Sequence, residues 1–125
     1  GPTLLDLAEV PAPSPISART LMPMLDPTGD PSLSARGVVF AEQAKDGNFT
    51  TSRFMTMVRS ADWKLVHFLD EPWGQLFDLK SDPQEVNNLW KSPDHASKRD
   101  EMLTILREWR IRDSYENAAL WAEHR

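Results

Sequence analysis

The chain has 125 residues, of which 40% are hydrophobic and 26% are charged. A chain of this size and composition is long enough to bury a core and to fold as one small domain. Its net charge is −5, which argues against a nucleic-acid partner and against attraction to an anionic membrane surface. It contains no Cys, so disulfides, thiolate zinc sites and cysteine nucleophiles are excluded.

Residues 1–35 contain seven of the ten prolines and two short apolar clusters. The first cluster, residues 3–10, has helical spacing with Thr3 as its predicted N-cap. The second cluster, residues 19–25, predicts another short helical turn. Because the prolines interrupt regular structure, we expect these apolar side chains to pack on a body that the chain does not contain.

Residues 36–80 have the pattern of a β-sheet. Strands are predicted over residues 38–41, 52–59, 63–69 and 74–79, between stretches of turn-forming residues. Alternation in the third strand places its odd-numbered side chains on one face: Trp63, Leu65, His67 and Leu69. The connections are too short for parallel crossovers, so the sequence predicts a four-stranded antiparallel sheet.

Residues 81–125 have the pattern of helices. Residues 81–84 match a capping box before a brief turn, and Ser92 is the predicted N-cap of a helix that starts at Pro93. An apolar stripe follows on one face of that helix: Met102, Leu103, Ile105, Leu106 and Trp109. A bend near residue 113 is predicted before a last helix. The predicted fold class is α+β, a four-stranded antiparallel sheet packed against a long C-terminal helix, with an irregular N-terminal segment of short helical turns.

No group of residues has the spacing of a catalytic or metal-binding motif. The three histidines, His67, His95 and His124, lie in unrelated contexts and do not form an HxxxH or HExxH pattern. The serine at position 14 lies in a proline-rich stretch without a local base. We therefore predict no catalytic, metal-binding or cofactor-binding residue in the chain, and no turnover by the chain alone.

Two residues are candidates for the rim of a substrate pocket. His67 lies on the third predicted strand, where a packed or edge-exposed histidine is the alternative interpretation. Trp73 follows Glu71 and Pro72 in a tight connection between strands, which favours a position at the surface or at a pocket rim. The other tryptophans are expected to pack in the core or at an interface.

Four phrases of the sequence, in order, resemble the C-terminal signature of the sulfatase family. They are residues 2–8, residues 19–25, the two strands from residue 62 to 79, and the turn at residues 82–89. The positions that carry the signature in the strands and the turn are Trp63, Lys64, Leu65, Gly74, Leu76, Phe77, Asp78, Leu79, Asp82, Pro83, Glu85, Asn88 and Leu89. Glu9 and Ala18 depart from it, because glycine is usual there. The matching residues are structural ones.

The resemblance implies an arylsulfatase-like parent in the alkaline-phosphatase superfamily. Such enzymes use a formylglycine nucleophile and a divalent cation, usually calcium, both held by an N-terminal domain whose motifs are absent here. We expect residues 36–125 to be the C-terminal α+β subdomain, which buttresses the catalytic domain and forms a wall of the substrate entrance. Residues 1–35 would belong to the edge of that missing N-terminal catalytic domain, the expected partner.

Two alternatives remain open at this stage. In the first alternative, the parent is a phosphonate or phosphate-ester hydrolase with the same signature. In the second, the chain is a free-standing interaction module that binds a partner or a second copy of itself. The second alternative requires the N-terminal apolar side chains to be buried in the chain's own core. If they are exposed or pack on another copy, a partner surface is missing. The side chains that decide between them are Leu4, Leu5, Leu7, Leu21 and Met24.

Overall fold

The computed structural model describes residues 1–12, 18–25, 37–45 and 52–123. The elements found there are helices α1 (Pro2–Leu7) and α2 (Met22–Leu25), strands β1 (Val38–Ala44), β2 (Phe54–Ser60), β3 (Trp63–Phe68) and β4 (Gly74–Asp78), a 3₁₀ turn (Pro93–His95) and helix α3 (Ala96–Glu123). The strands form one antiparallel sheet in the order β1-β2-β3-β4. The predicted α+β class is confirmed. Two compact units are present, Gly37–Ile111 and Gly1–Arg36 with Arg112–Arg125.

One face of the sheet packs on α3 and forms the core of the unit Gly37–Ile111. The buried cluster contains Val58, Leu65, Leu76, Met102 and Leu106. The three strand residues are direct neighbours across β2, β3 and β4, while the two helix residues lie one turn apart. At the side of this cluster Phe40 stacks on Trp109, with 4.4 Å between ring centroids. The apolar stripe predicted for the helix therefore covers the sheet as expected.

The opposite face of the sheet carries both apolar and charged side chains. Val66 and Phe77 are buried there, whereas Val39 on the edge strand β1 is half exposed. Lys64 Nζ donates to Glu85 Oε2 at 2.6 Å and so ties β3 to the segment after β4. A groove of about 530 Å³ crosses this face.

Residues 82–89 cover the free edge of β4. The side chain of Asn88 has the central position, because its Oδ1 accepts the N–H of Leu76 and of Trp90, both at 3.0 Å. Its Nδ2 donates to the carbonyl of Gly74 at 2.9 Å, and the N–H of Leu89 donates to the carbonyl of Leu76 at 2.8 Å. An edge strand with unpaired backbone groups invites aggregation. The signature turn satisfies those groups within the chain.

The brief turn predicted after residue 81 is present, but its cap differs from the prediction. The carboxylate of Asp82, and not the hydroxyl of Ser81, accepts the N–H of Val86 at 3.1 Å and of Asn87 at 2.7 Å. Glu85 has a positive φ of 57°, which an α-helix does not allow. A left-handed residue inside the turn therefore prevents the capping-box pattern from continuing into a helix.

Helix α3 is longer than predicted. Ser92 precedes the 3₁₀ turn with Pro93 in its first position, as the sequence predicts. The helix then runs without interruption to Glu123, so the predicted bend near residue 113 is wrong. Residues 96–123 contain no Pro or Gly, which is why the helix continues. No helix among the described residues combines the length and apolarity needed to cross a bilayer.

The other unit contains α1 and α2. Helix α1 begins directly after Gly1, so Thr3 is not its N-cap; the Thr3 hydroxyl instead accepts the N–H of Leu21 at 2.9 Å. Apolar side chains in these two short helices and just before α2 are exposed: Leu4 (69%), Leu7 (58%), Leu21 (51%) and Met24 (56%). Leu5 is partly buried. We call these five side chains the N-terminal apolar surface.

Gly74 lets the Trp90 indole pack directly on β4. A Cβ at this position would lie 2.5–2.7 Å from carbons of the Trp90 ring, so Gly74→Ala must displace the ring. We expect it to lower the free energy of unfolding by about 1–3 kcal/mol, measured by urea denaturation. The control is Gly37→Ala, because a Cβ there meets no atom within 4 Å. Equal losses for both variants would contradict the packing role of Gly74.

Asn88→Ala removes three hydrogen bonds from the edge of β4 and leaves the N–H groups of Leu76 and Trp90 without their acceptor. We expect a loss of about 1–3 kcal/mol in the free energy of unfolding, because unsatisfied backbone donors remain. Asn87→Ala is the matched control, since only the backbone N–H of Asn87 is bonded in this turn. A control variant as unstable as Asn88→Ala would show that the edge cover does not depend on Asn88.

A candidate ligand groove between the sheet and helix α3

A groove of about 580 Å³ lies between α3 and the sheet, at the place where the start of β2 is paired with the end of β3. We call it the helix-side groove. Its apolar lining consists of Phe54, Leu69, Trp90, Leu103 and Leu106. The helix residues are three positions apart and therefore share one face of α3. The volume is within the range of small-molecule sites, whose walls are mostly apolar.

Four polar side chains line the same groove: Thr56, His67, Arg107 and Arg110. Thr56 and His67 are paired directly across β2 and β3, so both side chains point to the side of the sheet that α3 covers. Arg107 and Arg110 are three residues apart on α3. Glu42 is paired with Thr56 across β1 and β2 and neutralises Arg110, so Arg107 is the cation of the described lining that has no carboxylate partner there.

Trp90 forms a fixed wall of the groove. Arg99 Nη1 donates to the carbonyl of Trp90 at 2.9 Å, and the guanidinium carbon lies 5.7 Å from the indole centroid. The indole also lies against the backbone of Gly74. Because these two contacts hold the ring, Trp90 does not need to reorganise when a ligand contacts it.

The polar groups differ in how far they are already engaged. Arg110 forms an ion pair with Glu42 at 2.7 Å, and its guanidinium lies 5.9 Å from the ring centroid of Phe54. Within the described parts of the chain, the side chains of Thr56, His67 and Arg107 have no hydrogen-bond or ion-pair partner. Thr56 is only 8% exposed. A buried hydroxyl without a partner is uncommon in folded proteins.

The structure places the two predicted rim residues on different sides of the sheet. His67 lines the helix-side groove. Trp73 is 41% exposed, packs on Phe68 with 4.4 Å between ring centroids, and donates from Nε1 to Glu71 Oε2 at 3.0 Å. Phe68 follows His67 in β3 and so points to the opposite face. The two residues do not line the same groove, and a position at a substrate-pocket rim stays a prediction for both.

Among the described residues, no group of three His, Cys, Asp or Glu side chains could hold a metal ion. The ring of His95 lies 2.9 Å from the Ser92 hydroxyl and 5.9 Å from the Trp63 ring, which are the contacts of a packed histidine. His124 is outside the described residues. A calcium site needs six to eight oxygen ligands, so these side chains do not fit the cation that the sulfatase resemblance implies.

Asp78 shows what a signature residue does in this fold. Its carboxylate accepts the Ser81 hydroxyl at 2.9 Å and the N–H groups of Lys80 and Ser81 at 3.0 and 3.4 Å. The hydrogen bond from Ser81 is the main cause that holds the pKa of Asp78 below its ordinary value of 3.8, and the backbone donors and the charge of His95 act in the same direction. Asp78 therefore stabilises the turn after β4 in its charged form.

Sequence reasoning misses Thr56, Arg107 and Arg110 as members of the groove. The available signal at Thr56 is a polar residue between Phe54 and Val58 on the apolar face of a strand. Arg107 follows Leu103 by four positions and so extends the apolar stripe with a cation. Neither signal indicates a ligand without the contact between α3 and the sheet.

The family model for the C-terminal region of N-sulphoglucosamine sulphohydrolase matches residues 1–112. The chain belongs to this family. It is 30% identical over 109 residues to N-acetylglucosamine-6-O-sulfatase of Bacteroides thetaiotaomicron, which is 86% of this chain and 19% of that protein. It is 29% identical over 126 residues to Delta 4,5-hexuronate-2-O-sulfatase of the same organism, at 99% of this chain and 26% of that protein.

A solved structure supports the same family assignment. It is a complex of a protein with its substrate D-glucosamine-2-N,6-O-disulfate; the TM-score is 0.72 at 30% identity, over 87% of this chain and 22% of that one. The sulfatase-family resemblance of the sequence is thus confirmed. The chain spans about a fifth to about a quarter of the length of the relatives it matches.

Ser81→Ala tests the role of the Asp78 carboxylate through pH. Because the folded pKa of Asp78 is lowered, its contribution to stability is present above pH 3.8 and is lost as the pH falls through the lower folded value. We expect wild type to have the higher Tm at about pH 6 and to lose this advantage progressively as the pH falls below 3.8. Ser97→Ala, at an exposed helix position, should show no pH-dependent difference. A wild-type advantage that persists unchanged in acid would contradict this assignment.

Proposed function

We propose that this chain is the C-terminal subdomain of a sulfuric ester hydrolase and that it supports a catalytic domain encoded upstream. One observation carries the proposal: nearly the whole chain matches a family of C-terminal regions, yet it spans only about a fifth to a quarter of its relatives. The relatives are named as sulfatases, which favours a sulfuric ester over a phosphonate or phosphate ester as the parent's substrate.

The N-terminal apolar surface supports a buttress role. Leu4, Leu7, Leu21 and Met24 each expose half or more of their side chains to solvent. A cluster of large apolar side chains that stays exposed is typical of a surface that another body covers. In the parent, that body would be the catalytic domain, whose edge residues 1–35 complete. An isolated chain would cover the same surface by binding a second copy.

The described residues support a division of labour between the chain and the upstream domain. Hydrolysis of a sulfate ester needs a nucleophile, neutralisation of the developing charge and an acid for the leaving group, all in one pocket. No such convergence is found among the described side chains. The proposed parent therefore supplies the formylglycine and the divalent cation from its upstream domain. His67 and Trp73 would border the substrate entrance.

The purified chain, assayed with an aryl sulfate and calcium, should show no hydrolysis above background. Addition of the upstream part of the same coding sequence should restore metal-dependent hydrolysis, because the two parts complete one enzyme. Metal-dependent turnover by the chain alone would contradict the division of labour.

The variant Leu21→Asp, added to the same mixture, tests whether the N-terminal apolar surface contacts the upstream part. A carboxylate in place of an apolar contact should reduce co-purification of the two parts by at least about tenfold. Val86→Asp is the matched control, since Val86 is an exposed apolar residue (75%) outside the N-terminal apolar surface. If both variants co-purify as well as wild type, the N-terminal apolar surface is not the contact.

A further inference from the structure

We infer, building on the proposed function, that the helix-side groove binds an anionic ring ligand whose sulfate or carboxylate group is held by Thr56, His67 and Arg107. The ring of the ligand lies against the apolar wall that Trp90 and Leu103 form. The proposed function contributes only the choice of ligand, a sulfated sugar. The site itself follows from the side chains that line the groove.

Thr56 presents a buried hydroxyl to the groove. The side chain is 8% exposed, faces the groove and has no hydrogen-bond partner among the described residues. Burying a hydroxyl without a partner costs free energy, so such a group is retained where something else supplies the partner. Thr56 is paired with His67 across the strands, and a histidine ring nitrogen donates or accepts. Together they offer two adjacent hydrogen-bonding groups.

The groove also offers a positive charge to a ligand. Arg110 is already paired with Glu42, whereas Arg107 has no partner within the described parts of the chain. A guanidinium offers parallel N–H donors that match the oxygens of a sulfate or a carboxylate. The carboxylate of Glu42, which is paired with Thr56 across β1 and β2, lies beside the groove and is neutralised by Arg110. The free charge therefore favours an oxyanion beside the Thr56–His67 pair.

An apolar wall lies next to these polar groups. Trp90 is held in place by Arg99 and by the close approach of Gly74, and Leu103 and Leu106 continue the apolar surface along α3. Ligand sites in proteins combine such a wall with a few convergent polar groups. An inorganic ion alone would use only the polar end. The groove of about 580 Å³ has room for a ring attached to the anion.

The test is a titration of the full 125-residue chain, followed by NMR and calorimetry, with three probes: D-glucosamine-2-N,6-O-disulfate, N-acetylglucosamine and inorganic sulfate. We expect the disulfated sugar to shift the amide signals of Thr56 and His67 and the indole signal of Trp90. It should bind at least about tenfold more tightly than either other probe, since each lacks half of the required chemistry.

Four variants assign the contacts. Arg107→Ala should weaken binding of the disulfated sugar by about ten- to a hundredfold, and Arg59→Ala, which removes the same charge on the other face of the sheet, by less than about twofold. Thr56→Val should weaken binding while leaving the Tm unchanged or higher, because it removes an unsatisfied hydroxyl. Thr56→Ser keeps the hydroxyl and should keep binding. If the Thr56 hydroxyl instead formed a structural hydrogen bond, Thr56→Val would lower the Tm.

Each opposite result overturns the inference. Inorganic sulfate that binds as tightly as the sugar would reduce the site to a simple anion site, and N-acetylglucosamine that does so would remove the role of the anion. Failure of all three probes to bind would mean that the groove is no ligand site. If Arg107→Ala instead prevents assembly with the upstream part, the groove is a contact between domains. The binding assay uses the chain alone, so its failure is distinct from failure of the restored hydrolysis.

Discussion

The contact of one sheet face with α3 is the interaction on which the rest of the structure depends. Val58, Leu65 and Leu76 form a continuous row across three strands, and Met102 and Leu106 close it from above. Removing these five side chains from water is the main stabilisation available to a sheet of four short strands. The same contact creates the helix-side groove, because α3 approaches the sheet at the core and leaves space beside Thr56 and His67.

The signature residues mainly cover the free edge of the sheet at β4. Asn88 and Leu89 form hydrogen bonds with the outward-facing backbone groups of β4. The carboxylate of Asp82 accepts a backbone N–H of the turn that precedes them. Lys64 reaches Glu85 from the second face of the sheet. These structural contacts explain why the spacing between the last strand and the turn is characteristic of the family. The signature residues thus protect the edge strand from pairing with another chain.

Much of the fold could be predicted from the sequence because its elements are short and strongly patterned. Alternation in residues 63–69 gave the two sheet faces, and the stripe from Met102 to Trp109 gave the helix that covers one of them. The misses have local physical causes: the positive φ of Glu85 ends a capping pattern, and the lack of Pro or Gly lets α3 continue past residue 113. The groove could not be predicted, because His67 and Arg107 are 40 positions apart and meet only through tertiary packing.

The central claim is that the chain is a support whose N-terminal apolar surface is covered by an upstream catalytic domain. Hydrogen–deuterium exchange of the chain, alone and mixed with the upstream part of its coding sequence, tests this claim most directly. The account predicts that amides of α1, of α2 and of Leu21 in the N-terminal apolar surface become protected from exchange only in the mixture. Exchange in α1 and α2 that does not change on mixing would contradict it.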